Sequence, residues 1–193
     1  MQGEHGKSHG EHQHHGKISY LENPARKDAL SPEKLFSLIP IKETDTVLDF
    51  GAGTGYFTIP AAKKVGGNVY ALDTDASMLE IIRVKAVQEN LSNVIPIYTN
   101  GSDIPLPGES VEGVIASLVL HEITPLAVTL AEIKRIMKPE GYLVCIELEP
   151  KGESKAPRIS SVGMERELKA AGLQIVNKLF PSESLYILVA QKA

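Results

Sequence analysis

Apolar residues fall into short runs separated by glycine, proline and polar clusters, and the runs alternate between two periods. Val47-Leu48-Asp49-Phe50, Val69-Tyr70-Ala71-Leu72, Val94-Ile95-Pro96-Ile97-Tyr98, the stretch from Val111 towards Leu120, and Tyr142 to Leu148 have the length and β-branched content of buried strands. Pro96 suits only a strand at the sheet edge, because it has no N–H to donate to a second neighbour. Between these runs the pattern turns helical. Ser31-Pro32-Glu33 starts a helix through Leu35, Phe36, Leu38 and Ile39, with Ser31 as cap and proline in the first turn. Tyr56 to Ile59 with Ala61-Ala62 begins another helix. Asp75 caps a third, whose Met78, Leu79, Ile82, Val84 and Val87 keep helical spacing. Leu126 to Met137 is a fourth, with Lys134, Arg135 and Lys138 near the end where the dipole favours cations. Lys138-Pro139-Glu140-Gly141 breaks it. A fifth, around Met164–Ala171, ends at Gly172, and the closing strands Leu173–Phe180 and Leu185–Gln191 flank a turn containing Pro181-Ser182-Glu183. Alternation of this kind predicts an α/β fold, a mostly parallel sheet with helices on both faces.

The chemistry concentrates where the first strand ends. Asp49-Phe50 is followed by Gly51-Ala52-Gly53-Thr54-Gly55, three glycines at alternate positions leading into a helix. A strand that turns through glycines into a helix N-terminus lets backbone approach a ligand closely. A dinucleotide fingerprint would need its third glycine three residues after the second, where Tyr56 stands. The second strand ends in Asp73, about 20 positions on, where an acidic residue accepts hydrogen bonds from ribose hydroxyls in nucleotide-binding βαβ units. As a bare pattern Asp73 is also a turn residue, and Asp75 reads better as a helix cap than as a ligand.

Gly-x-Gly-x-Gly after a strand carrying an acidic residue resembles motif I of the class I S-adenosylmethionine-dependent methyltransferases. The likeness extends over residues 44–192 and is closest to the small single-domain kind called methyltransferase type 11. It implies a Rossmann-like three-layer sandwich whose seven-stranded, mostly parallel sheet runs 3-2-1-4-5-7-6 with strand seven antiparallel. It also implies S-adenosylmethionine as cofactor, held by Asp49, Gly51, Ala52, Gly53 and Gly55, by Asp73 with Thr74, by Asp103 near the adenine amino group, by the backbone of Ile104 at the ring edge, and by Ser117 near the methionine end. Met137-Lys138-Pro139-Glu140-Gly141-Tyr142-Leu143 is similar to the family's Leu-Lys-Pro-Gly-Gly-x-Leu turn and departs from it by carrying Glu140 for the first glycine.

His121-Glu122 follows Ser117-Leu118-Val119-Leu120 at the C-terminal edge of strand four, where ligands gather in open α/β sheets. His121 is the candidate catalytic residue. It would take a proton or orient the acceptor, with Glu122 fixing its tautomer; the other reading makes it pocket wall. Ala116-Ser117-Leu118-Val119 stands where an Asn/Asp-Pro-Pro-aromatic motif would mark transfer to an amide or adenine nitrogen. The single cysteine, Cys145, argues against mechanisms that need thiols and reads as a small core residue.

Composition narrows the acceptor further. A formal charge of −4 in 193 residues advertises no basic field for nucleic acid. No apolar run is long enough for a bilayer and no secretory segment is recognisable, so membrane association is not expected and the cytoplasm is the expected compartment. One cysteine fits that reducing setting. A small molecule is the most economical acceptor for a single domain, 17–193, whose segment 17–40, Tyr20 included, is expected to form a lid or packing helix. Residues 1–16 are expected to be a disordered tail that holds five of the six histidines. Such a tail can bind transition metals without a unique geometry, although a solvated tail is the simpler reading, and no metal is assigned to the site. Two other functions remain open, an RNA methyltransferase and a non-catalytic protein that binds S-adenosylmethionine or handles metal. Oligomeric state and the acceptor atom are left open.

Overall fold

The computed structural model describes residues 30–101, 103–150, 152 and 157–193. The His-rich tail, Tyr20 and residues 17–29 of the expected lid segment lie outside them. Seven strands, β1 (Val47–Phe50), β2 (Val69–Asp73), β3 (Val94–Tyr98), β4 (Val111–Ser117), β5 (Met137–Leu148), β6 (Leu173–Ser182) and β7 (Leu185–Lys192), form one sheet in the order β3-β2-β1-β4-β5-β7-β6. β1 pairs in parallel with both β2 and β4, whereas β7 runs antiparallel between β5 and β6. The expected α/β architecture and strand order are those observed.

Central strands are apolar on both faces because both faces are covered. Leu48, Phe50, Val114, Ala116, Leu143 and Cys145 pack into one core, while Val47, Val69, Ile115, Val144 and Ile146 point into the other. Pro96 sits on β3 opposite Ala71, at the sheet edge that its missing N–H requires.

The helices are α1 (Pro32–Leu38), α2 (Thr58–Lys64), α3 (Ala76–Gln88), α4 (Leu126–Ile136) and α5 (Ser161–Ala170), with a 3-10 turn at Leu120–Glu122. Ser31 caps α1 through Lys34 N–H and Asp75 caps α3 through Ser77 N–H, as their residue types predict. Gly172 follows α5 at φ +77°, the left-handed C′ position.

Three expectations need correction. Val84 and Val87 on α3 are 48% and 77% exposed, not core. At about 100° per residue, Met78, Leu79, Ile82 and Ala86 share one face and the two valines fall opposite. The second difference is that Lys138 to Gly141 is no break between elements but a detour within β5. Pairing passes from Val111↔Met137 to Gly113↔Tyr142, and Glu140 sits at φ +60° in the bulge. Finally, Pro181 and Ser182 belong to β6, so the turn before β7 is shorter than predicted.

Candidate functional site

The glycine turn runs from β1 into α2. Gly51, Gly53 and Gly55 have φ of +73°, +53° and +83°, a region that L side chains rarely enter. A Cβ on Gly51 would also come within 2.5 Å of Val119 Cγ2. The φ values favour glycine at all three positions, and the approach of Val119 adds a second reason at Gly51. The floor of the loop is held from below by Asp49, which accepts a 2.5 Å hydrogen bond from Thr58 Oγ1 at the start of α2. Burial pushes the Asp49 carboxyl up to about 7; the Thr58 hydrogen bond pulls it down and the neighbouring Asp73 charge adds to the rise. Asp73, 8% exposed, is anchored from the side: Oδ2 accepts from Gly53 N–H at 2.8 Å and Oδ1 from Asp75 N–H at 2.9 Å. An ionised carboxylate has about four acceptor sites, so each oxygen keeps one for a ligand.

Above this loop lies a cavity of about 430 Å³. Its wall includes Gly51, Gly53, Asp73, Thr74, Thr99, Gly101 and, from the other side, Ser117, Leu118, Val119, His121 and Arg158. It opens at the C-terminal ends of β1, β2 and β4, the crevice where chain order reverses and ligands bind in open α/β sheets. Leu118 turns the chain there at φ +54° and is tied by its N–H to Ile146 O at 2.8 Å. A non-glycine residue in that conformation costs about 1–3 kcal/mol and persists where surrounding structure enforces it.

Of the residues singled out from sequence, Gly51, Gly53, Asp73, Thr74, Ser117 and His121 meet on this wall. Asp49, Ala52 and Gly55 do not. Asp49 is buried under the loop and Gly55 faces Ile82 of α3, so both shape the turn from behind. Asp103 is exposed beyond the wall and Ile104 is 1% exposed in the core. The two cavity-facing glycines and the carboxylate with spare acceptor capacity fit an adenosine-containing cofactor.

His121 sits on the 3-10 turn with its side chain 5% exposed. Its Nδ1 lies 2.7 Å from Oε2 of Glu147, and its backbone N–H donates to Oε1 of the same residue at 3.3 Å. A carboxylate only accepts, so the proton resides on Nδ1 and Nε2 is left as acceptor. Arg158 Nη1 donates to that Nε2 at 2.9 Å. The tautomer is therefore fixed by Glu147 and not by Glu122, which is 68% exposed and 3.7 Å from Nε2. Sequence reasoning missed both new members. Glu147 had a signal, a lone acid inside the apolar run of strand five; Arg158 lay in a segment without pattern. Cys145 is buried beside Glu147, and burial first, then that charge, drives its thiol well above the usual range, which leaves it inert.

A family profile described as a methyltransferase domain matches residues 48–145. Demethylmenaquinone methyltransferases from Listeria monocytogenes serotype 4a and Geobacillus sp. strain WCH70 are 31% identical over 117 residues and 33% identical over 109. Those alignments cover 60% and 55% of this chain but 49% and 47% of the relatives, so the chain spans about half the length of the curated relatives it matches. Among solved structures, a SAM-dependent methyltransferase from Aquifex aeolicus superposes with a TM-score of 0.84 at 29% identity, over 92% of this chain and 98% of that one. The PH0226 protein from Pyrococcus horikoshii, at 19% identity and a TM-score of 0.74 over 89% and 92% of the two chains, shows the shared fold alone.

Proposed function

The chain belongs to the S-adenosylmethionine-dependent methyltransferase domain family, whose profile covers just over half of it, and from that premise we propose that it methylates a small-molecule acceptor. The observation that carries this reading is the shared cavity, with Asp73 and the glycine loop on one wall and the Glu147-supported His121 on the other. S-adenosylmethionine, when bound, supplies an activated methyl group on a sulfonium. Asp73 would hold the ribose hydroxyls, Gly51 and Gly53 would admit the cofactor against bare backbone, and Ser117 would border the methionine end. The remaining task is to align the acceptor and exclude water, and such positioning is worth several kcal/mol.

His121 would take the proton of an acceptor that must lose one. With the proton on Nδ1, Nε2 has the lone pair a base needs once the Arg158 donor is displaced, and Glu147 would stabilise the imidazolium that results. Relatives named for demethylmenaquinone support quinone-type rings among the acceptors. Among the described residues Arg158 is the one permanent cation on the cavity wall, a poor match for the phosphate track that RNA requires. No helix among the described residues is long and apolar enough to cross a membrane.

Calorimetric titration with S-adenosylmethionine and, separately, NAD tests the cofactor; release of S-adenosylhomocysteine with a panel of demethylated quinols and phenols tests the transfer. Binding of S-adenosylmethionine alone, followed by product release, is expected. Binding without turnover on any acceptor would shift the reading to a cofactor-binding protein.

A further inference from the structure

Arg158 is half-buried, and among the described residues no carboxylate lies within ion-pair distance of it. Its guanidinium instead donates to a neutral imidazole nitrogen at 2.9 Å. A partly buried guanidinium that no described carboxylate contacts directly keeps N–H donors for an anionic ligand. Its backbone is also held in place. Tyr186, 0% exposed, donates its hydroxyl to Ile159 O at 2.8 Å, and Glu149 accepts from Ser161 N–H at 3.1 Å. Ser160 then caps α5 through Gly163 N–H. Three independent ties within three residues fix where Arg158 enters the cavity.

We propose that Arg158 selects the acceptor: it covers Nε2 of His121 until an acidic hydroxyl of the acceptor takes the guanidinium, so that only ionisable phenols or enols gain the base. This deepens the methyl-transfer reading and rests on it. The exchange balances. The O–H bond of the acceptor breaks, its proton passes to Nε2, and the electron pair stays on the acceptor oxygen. That oxyanion then faces Arg158, while the new imidazolium is paired with Glu147 through Nδ1. The other acids near the ring are Glu122, on the same wall with its carboxylate 3.7 Å from Nε2 but 68% exposed and so screened by water, and Asp73 across the cavity. An acceptor without an ionisable hydroxyl offers Arg158 nothing better than the imidazole it already holds, and the base stays covered.

The test uses two ring-matched probes: lawsone, a hydroxynaphthoquinone whose ionised enol at neutral pH stands in for the oxyanion that proton transfer would leave facing Arg158, and the parent naphthoquinone. Each is titrated into wild type, Arg158→Gln and Arg158→Lys, with S-adenosylhomocysteine titrated as a control. Wild type is expected to prefer lawsone. Arg158→Gln should lose that preference by about tenfold or more, the scale of one charge-assisted contact. Arg158→Lys should keep part of it, because charge remains while the planar fork is lost. S-adenosylhomocysteine affinity should be the same in all three. An unchanged preference in Arg158→Gln, or a wild type that binds the probes equally or binds neither, overturns the assignment. A wild type that ignores S-adenosylhomocysteine yet discriminates the probes through Arg158 would overturn the methyl-transfer reading and leave the anion site standing.

Discussion

Single side chains in this site act through what they leave free. Asp73 spends one acceptor position of each oxygen on loop N–H groups and retains the rest. Asp73→Ala should weaken S-adenosylmethionine binding by roughly 1–3 kcal/mol, the cost of unpaired buried donors, and calorimetry with an unchanged dissociation constant would remove Asp73 from the site. The pair His121–Glu147 makes a different demand. His121→Ala should lower turnover by ~10²–10⁴-fold, the range of general-base contributions, with little change in cofactor affinity. Glu147→Gln keeps a hydrogen bond to Nδ1 but not the charge, and its smaller loss of turnover should be accompanied by a shifted pH–rate profile. If both variants turn over at the wild-type rate, His121 is wall. Asp49 carries a pH consequence. Its native value of about 7 lies above the ordinary 3.8, so between about pH 4 and pH 7 the native state keeps a proton that the unfolded chain has released. Stability therefore falls as pH rises through that window, by up to ~1.4 kcal/mol per unit. Urea unfolding at about pH 5 and about pH 7 should show this loss in wild type and a flatter response in Asp49→Asn.

Elements here are shaped by their ends and their interruptions. The bulge in β5 places Glu140 at φ +60°, a region that favours glycine. A residue with a Cβ is strained in that region by about 1–2 kcal/mol, and glycine's larger unfolded-state entropy returns part of the gain. Glu140→Gly should therefore raise stability by a few tenths to about 1 kcal/mol, read as a higher urea midpoint with an unaltered slope. A lower midpoint would mean the Gln191 Nε2 bond to Glu140 O needs the wild-type backbone. In helix α3 apolar spacing and burial part company. Five apolar residues fit a helical period, yet only those on one side of the wheel face the sheet, and two valines project outward.

Across the chain the cavity joins both halves of the sheet, so cofactor binding should stabilise the fold as a unit. S-adenosylhomocysteine at about 100 times its dissociation constant adds ~2.7 kcal/mol, which for a chain of this size raises Tm by about 5–10 °C. A scan showing no shift would argue that the loop does not receive it. Much of this arrangement was legible beforehand, and the reason is locality. The glycine turn, the caps at Ser31 and Asp75, the edge position of Pro96 and the C′ glycine at Gly172 each follow from one residue's φ, its missing N–H or a side chain bonding a few positions away. Those features, with the alternation of strands and helices, were determined by sequence itself. Tertiary structure alone decided the rest. Glu147 and Arg158 reach His121 from 26 and 37 positions away, because β4 and β5 pair in parallel and the Tyr186 and Glu149 ties hold the segment before α5 over the cavity. The place of Asp49 beneath the glycine turn has the same origin: which face of a buried strand meets a cavity is set by what packs against it, and no local pattern records that.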